Sequence, residues 1–416
     1  MDFANNYCCL CADELFYSFV PNPITIFFKQ GFNYFQRHYR LCNSLRYSKD
    51  NRAFSMNFLL PFVIAFASCL ILTPITANLA RKFHLVDDPK KREHPATIHK
   101  RITPRAGGVP MFLAFMLATI LVIPFSKQLA GILIGGAILI LIGVLDDKYD
   151  LSSSQKLLGQ ILAAIIVVGS GIGIAFITNP LYFLGGAFEQ VIRLDSTRYI
   201  FDFFGTHSLV VWADLFALFW IVWVINMVNF SAGVDGQMPG VALVALLVIF
   251  ITSLRFFPAD QNQLIVSQIA LIGVGVTLGF LFFNFYPAKI FPGDSGSYFL
   301  GFLIAVCAIL SGAKVGTAIL VMAVPLIDGV FTVIRRLASG TSPFLGDRKH
   351  LHHRLLELGW GQRRVALFYW LLCAILGAIA LVLPTVEKLF AGVLVAIIIV
   401  GGLLWLNMSL PQRDQK

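Results

Sequence analysis

Charge is what this chain has least of: only 13% of its 416 residues are Asp, Glu, Lys or Arg, about half of the roughly 25% usual in a water-facing globule. So little polar surface excludes a soluble fold of this size, and the 57% hydrophobic content excludes a disordered or fibrous chain. The 7 cysteines build no framework. Cys8, Cys9, Cys11 and Cys42 lack a second ligand pair at zinc-site spacing, and Cys69, Cys307 and Cys373 stand singly in apolar runs, where buried thiols sit. No apolar run of spanning length and no signal-peptide pattern precedes Met56.

What is abundant is apolar sequence in long stretches. A bilayer core about 30 Å thick takes roughly 20 helical residues per crossing. Apolar runs fall at about 57–80, 106–125, 128–145, 156–177, 210–228, 240–257, 264–285, 297–311, 314–334, 365–383 and 388–407. These predict an all-α, polytopic membrane protein with about eleven transmembrane helices. Pro74, Pro124 and Pro325 lie inside runs, which membrane helices tolerate.

The charge that is present is unevenly placed. Of 32 Lys and Arg, twenty fall in the connections 81–105, 146–156, 286–296 and 335–364 and at the C-terminus. Six (Lys127, Arg193, Arg198, Arg255, Lys314 and Lys388) fall on the other side. The positive-inside rule then makes the first set cytoplasmic. The net charge of +10 accordingly reads as basic loops facing an anionic leaflet rather than as a nucleic-acid surface. The remaining six basic residues lie in 1–55, which this topology places outside, against the rule. We therefore expect residues 1–55 to be a poorly ordered extension, with Met56 as the real start and 56–410 as the membrane domain.

The groups able to do chemistry gather on the predicted cytoplasmic face, where polar side chains beside hydrocarbon are retained mainly because they act. His84, His94, His99, His350, His352 and His353 are all there. Asp146-Asp147-Lys148-Tyr149-Asp150 ends an apolar run; paired carboxylates there either hold Mg²⁺ and take a proton from a phosphate, or simply end a helix in water. Lys156 faces the same layer, as a phosphate partner or a snorkelling lysine. In the loop from Asn226 and Asn229 to Gly233, Asp235 and Gly236 the two Asn share a helical face, and the loop carries no Lys or Arg, which fits base or sugar recognition and metal ligation. Gly293-Asp294-Ser295-Gly296-Ser297 puts an acid and two hydroxyls at a helix start, as a phosphate and metal site or a plain N-cap. Asp347 to Arg354, with His350, His352, His353 and Arg354, has the cation density of a pyrophosphate clamp; a zinc site or a solvated run are the alternatives. Asp328 lies inside an apolar run, and we expect it to be structural, capping a kink near Pro325 or pairing with a neighbouring helix.

These motifs occur in order, after a Val86-Asp87-x-Pro89, Arg92, His99 and Pro104-Arg105-x-Gly107-Gly108 segment. Together they resemble the polyprenyl-phosphate N-acetylhexosamine-1-phosphate transferases, of glycosyltransferase family 4 type, over about residues 57–370. Pro325-Leu-Ile-Asp328, Arg335-Arg336, Ser342-Pro343-Phe344 and His350-Leu-His-His-Arg354 look like the UDP-GlcNAc-using branch rather than the phospho-MurNAc-pentapeptide translocases, which are the alternative. The resemblance implies a multi-pass protein of the cell inner membrane with its active site on the cytoplasmic face. It implies a Mg²⁺-dependent phosphotransferase that moves GlcNAc 1-phosphate from a UDP-sugar to undecaprenyl phosphate. UMP is released, and the lipid-diphosphate-linked sugar starts cell-envelope glycan synthesis. It further implies Mg²⁺, or Mn²⁺ in its place, on Asp294 and Asn229, activation of the lipid phosphate by Asp146 or Asp147, and His352 among the catalytic groups. Asp235 and Asn226 would bind the nucleotide-sugar, and Arg105, Lys156, His350, His353 and Arg354 would meet phosphate charge. Membrane lipids and a second copy of the chain are the other expected partners, and nucleic acid is not. Ala232 and Gln237 depart from the pattern, since many bacterial members carry Asp and Leu there.

Two other classes compete. An intramembrane prenyltransferase also uses acidic Mg²⁺ sites, but needs a second Asp-rich cluster, and Asp294 stands alone in its loop. A transporter would place its ionisable groups near the midplane of repeated halves, and no inverted repeat is apparent here.

Overall fold

The computed structural model describes residues 51–88, 101–179, 181–182, 189, 191–202, 206–257, 260–312, 315–342 and 350–409. The expected extension 1–55 lies almost wholly outside them, as do His94, His99 and Asp347.

The apolar runs fold as helices because a bilayer offers no partner for an unpaired backbone amide. Helix α1 spans Asn51–Lys82, α2 Gly108–Val122, α3 Lys127–Tyr149 and α4 Ser153–Gly169. After them come α5 Val211–Phe230, α6 Gln237–Phe256, α7 Gln263–Asn284 and α8 Gly293–Leu310. The chain continues through α9 Val315–Val321, α10 Ala323–Ala338, α11 Leu351–Glu357, α12 Gln362–Val382 and α13 Thr385–Ser409. Three two-stranded antiparallel ribbons connect them: β1 Val86–Asp87 with β2 Thr103–Pro104, β3 Phe176–Thr178 with β4 Val191–Arg193, and β5 Arg198–Asp202 with β6 Thr206–Val210.

Among the described residues, 8 helices are long and apolar enough to cross a membrane, or 9 if α9 and α10 count as one bent span. The all-α polytopic class stands, and among the described residues eight or nine of the eleven expected helices reach spanning length. At 15 and 17 residues, α2 and α4 reach only about 22 and 26 Å. The run expected over 156–177 stops at Gly169, and the chain turns into β3. The run expected over 314–334 breaks by 82° between α9 and α10. Pro325 lacks the N–H that would close on the Val321 carbonyl, which accounts for the break.

Helix α8 is the axis of the bundle, packed on α2, α3, α5, α6 and α7, with 89% of its apolar window inside the protein. At the other extreme α13 is 11% buried, as expected of a helix facing lipid. Where α3 crosses α8 the backbones nearly touch, and a side chain at Gly143 would overlap Ser295. That approach sets the end of α3 directly against the start of α8.

Candidate active site

The chemistry-bearing ends of α3, α4, α5 and α8 meet at one end of the bundle around a cavity of about 410 Å³. Neighbouring residues on an α-helix project about 100° apart, so the two acids that close α3 cannot share a direction. Asp146 lines the cavity; its Oδ1 accepts the Leu151 N–H at 2.9 Å and its Oδ2 lies 2.7 Å from Lys156 Nζ. Lys156, in the first turn of α4, reaches across to donate to Asp294 Oδ2 at 3.1 Å. Tyr298, one turn along α8, donates to the same oxygen at 2.9 Å. One ammonium thus bridges carboxylates from two different helices.

Asp147 points the other way, into protein. Its Oδ1 accepts the Asp294 backbone N–H at 3.0 Å and its Oδ2 accepts the Ser295 hydroxyl at 3.1 Å. Arg105 Nε lies 3.3 Å from Oδ1, and Arg105 Nη1 lies 3.7 Å from Asp87 Oδ2. Gly293, at φ +64, turns the chain into α8 against this carboxylate, and a Cβ there would overlap it. Burial is the largest influence on the Arg105 guanidinium and would lower its pKa, yet Asp147, Asp294, Asp87 and Asp146 together raise it. The cavity therefore keeps a fixed positive charge at its edge.

Of the two asparagines, Asn229 lines the cavity and accepts the Ser297 hydroxyl at 3.0 Å. Asn226 does not reach it. Its Nδ2 donates to Gln160 Oε1 at 2.6 Å and to the Val222 carbonyl at 2.8 Å, tying α5 to α4. Asp235 is on the wall, with Oδ2 accepting the Ala288 N–H at 2.9 Å. Ala232 is on the wall as well, whereas Gln237 is fully buried outside the lining, so its departure from Leu leaves the cavity surface unchanged.

The resemblance puts His350, His353 and Arg354 at the phosphates and His352 among the catalytic groups, but all four are buried and none lines the cavity. His352 packs against Gly233, whose residue forms the wall on its far side. Burial, reinforced by His353 and His350, pushes the His352 pKa well below its ordinary value, so the ring is neutral at neutral pH and carries no charge for an anion. The guanidinium of Arg354 donates to Glu357 Oε2 at 2.7 Å.

Sequence reasoning noted Asp87 in a motif without giving it a role, and overlooked Asn284 and Gln362 on the cavity and Tyr298 on Asp294. Helical periodicity from Asp294 would have found Tyr298 at i+4; the others reach the cavity only through tertiary packing. Among the described residues no three His, Cys, Asp or Glu side chains converge as a ready-made metal cage. Asp146, Asp294 and Asn229 nonetheless offer hard oxygens on one cavity, the donor type that suits Mg²⁺ when substrate phosphates and water complete its shell.

The sequence that builds this site has recognisable relatives. The model of glycosyl transferase family 4 matches residues 129–312. The chain is 32% identical over 331 residues to a probable undecaprenyl-phosphate N-acetylglucosaminyl 1-phosphate transferase of Bacillus subtilis, covering 78% of this chain and 84% of that protein. The chain belongs to glycosyl transferase family 4. A decaprenyl-phosphate N-acetylglucosaminephosphotransferase of Mycobacterium leprae is 31% identical over 360 residues, 79% of this chain and 85% of its own length. A phospho-N-acetylmuramoyl-pentapeptide-transferase of Bacillus licheniformis is 29% identical over 336 residues, 77% and 96% respectively. The stretch matched by the family model runs from α3 to the end of α8. It holds the Asp146, Lys156, Asn229 and Asp294 cluster but neither Arg105 nor His350, His352 and His353.

Proposed function

We propose that this family 4 member transfers N-acetylglucosamine 1-phosphate from UDP-GlcNAc to a polyprenyl phosphate at the cytoplasmic face of the cell's inner membrane. The observation that carries the reading is Lys156 bridging Asp146 and Asp294 beside Arg105 in a single cavity at the membrane-helix ends. Acids, a lysine and an arginine so placed suit a reaction in which negative charge is concentrated and moved between oxygens. A lipid phosphate oxygen attacks the β-phosphorus, the bond from that phosphorus to the oxygen bridging it to the α-phosphate breaks, and UMP departs with the electron pair.

In this reading Asp294 and Asn229 hold Mg²⁺, with Asp146 beside them, and the ion supplies charge neutralisation of the diphosphate. Lys156 and Arg105 meet phosphate oxygens. Asp146 holds the Lys156 ammonium toward the incoming lipid phosphate, which is already ionised at neutral pH and needs no strong base. Asp235 and Asn284 present the wall to the nucleoside. Positioning and charge neutralisation do the catalysis.

The test is a UMP-release assay on the purified full chain in nanodiscs, with UDP-GlcNAc and undecaprenyl phosphate. UMP formation that requires both Mg²⁺ and the lipid phosphate is expected. No UMP above a lipid-free control overturns the proposal.

A further inference from the structure

Asp328 is a buried acid in α10, the half-span beyond the 82° bend, and both of its oxygens are committed. Oδ1 accepts the backbone N–H of Leu351 at 2.9 Å, capping α11. Oδ2 faces His350 Nδ1 at 2.9 Å, and Thr332, one turn along α10, puts its hydroxyl 3.3 Å from the same nitrogen. A carboxylate there fixes the tautomer in which Nδ1 carries the proton and donates. The contacts continue outward from the imidazole. Its ring lies parallel to that of His352 at 5.5 Å between centroids and 5.9 Å from the ring of Phe230. Phe230 and Gly233 are wall residues of the cavity, and His352 is the side chain packed behind Gly233.

From these contacts we propose that Asp328 is a positioning residue: through His350 and His352 it holds the Phe230–Gly233 wall, and with it the placement of Asn229 and Asp235 on the cavity. The consequence for turnover rests on the function proposed above; the mechanical link does not. A kink cap alone would not call for a charge in an apolar run, where an acid is expensive to keep. An amide at 328 can still accept from Leu351, but it cannot serve as the carboxylate partner of an Nδ1–H as well. The histidine helix is then a buttress for the cavity, which accounts for its burial.

Two variants of the full chain in nanodiscs test this. Asp328→Asn removes the charge, and His350→Gln keeps a donor for Asp328 but removes the ring. In both, hydrogen–deuterium exchange should quicken in peptides over 226–236 and 350–357 and stay at the wild-type rate over 127–169. A misplacement of ångström scale at a remote residue costs about 100-fold in rate, so kcat/KM for UDP-GlcNAc should fall to that extent with a raised KM. A mere loss of folded protein lowers the apparent kcat and leaves KM unchanged. Wild-type exchange over 226–236 in the variants overturns the mechanical link. An unchanged KM in variants of an active protein overturns the positioning role. A wild-type chain that releases no UMP contradicts the proposed function instead, and exchange then decides on Asp328 alone.

Discussion

The backbone N–H of Asp294 donates to Asp147 Oδ1 at 3.0 Å, so the last turn of α3 caps the first turn of α8. Asp146, its neighbour in the chain, faces the cavity and Lys156 instead. Two adjacent, chemically identical residues are thereby given different tasks by the helical geometry alone: one fixes the site and the other furnishes it.

Asp147→Ala should be a folding lesion. It strips the partners from the Asp294 N–H, the Ser295 hydroxyl and Arg105 in a buried setting, and breaking a buried pair by removing one member costs about 3–5 kcal/mol. Thermal unfolding in nanodiscs should show a clear drop in midpoint for Asp147→Ala and a smaller one for Asp146→Asn. Equal midpoints for the two would contradict the division.

Asp294→Asn keeps the backbone N–H that binds Asp147 and changes only the cavity side. Turnover should vanish while the thermal midpoint stays near wild type, and Asp150→Asn should be milder. Chelation of divalent ions should abolish UMP release, with Mg²⁺ restoring it. Near-normal turnover of Asp294→Asn would show the metal assignment to be wrong.

Much of this arrangement was legible in the sequence. Hydropathy gave the helices, the positive-inside bias gave one face, and Asp146, Asn229, Asp235 and Asp294 at helix ends do meet there. What hydropathy and spacing do not carry is direction. Nothing local says that Asn226 turns to Gln160 or that His352 turns to the back of Gly233, because both depend on a partner distant in sequence. The 82° break was signalled only by Pro325, which other membrane helices accommodate without breaking. The expectation that Asp328 is structural agrees with its place, and only the structure ties it to the cavity wall.

Stability should fall on mild acidification because of His352. Its folded pKa is lowered, so the unfolded chain takes up a proton that the native state refuses as pH drops below the ordinary value of 6.5. Stability is full above that pH and declines below it by up to about 1.4 kcal/mol per pH unit. Thermal midpoints between neutrality and mild acid should drop more steeply for wild type than for His352→Gln. Parallel pH profiles would contradict the buried, neutral assignment.

The topology is open to a direct check. A reporter fused after Arg364, at the start of α12, should read as cytoplasmic. An external signal would reverse the map and separate the cavity from a cytoplasmic nucleotide-sugar.

The central claim is that phosphorus moves with the sugar. UDP-GlcNAc radiolabelled at the β-phosphate, incubated with the protein, Mg²⁺ and undecaprenyl phosphate, reports it in one extraction. The account predicts that the label passes into the organic phase with the lipid while unlabelled UMP stays in water. Label retained in the aqueous phase as UDP, with sugar alone on the lipid, would contradict it.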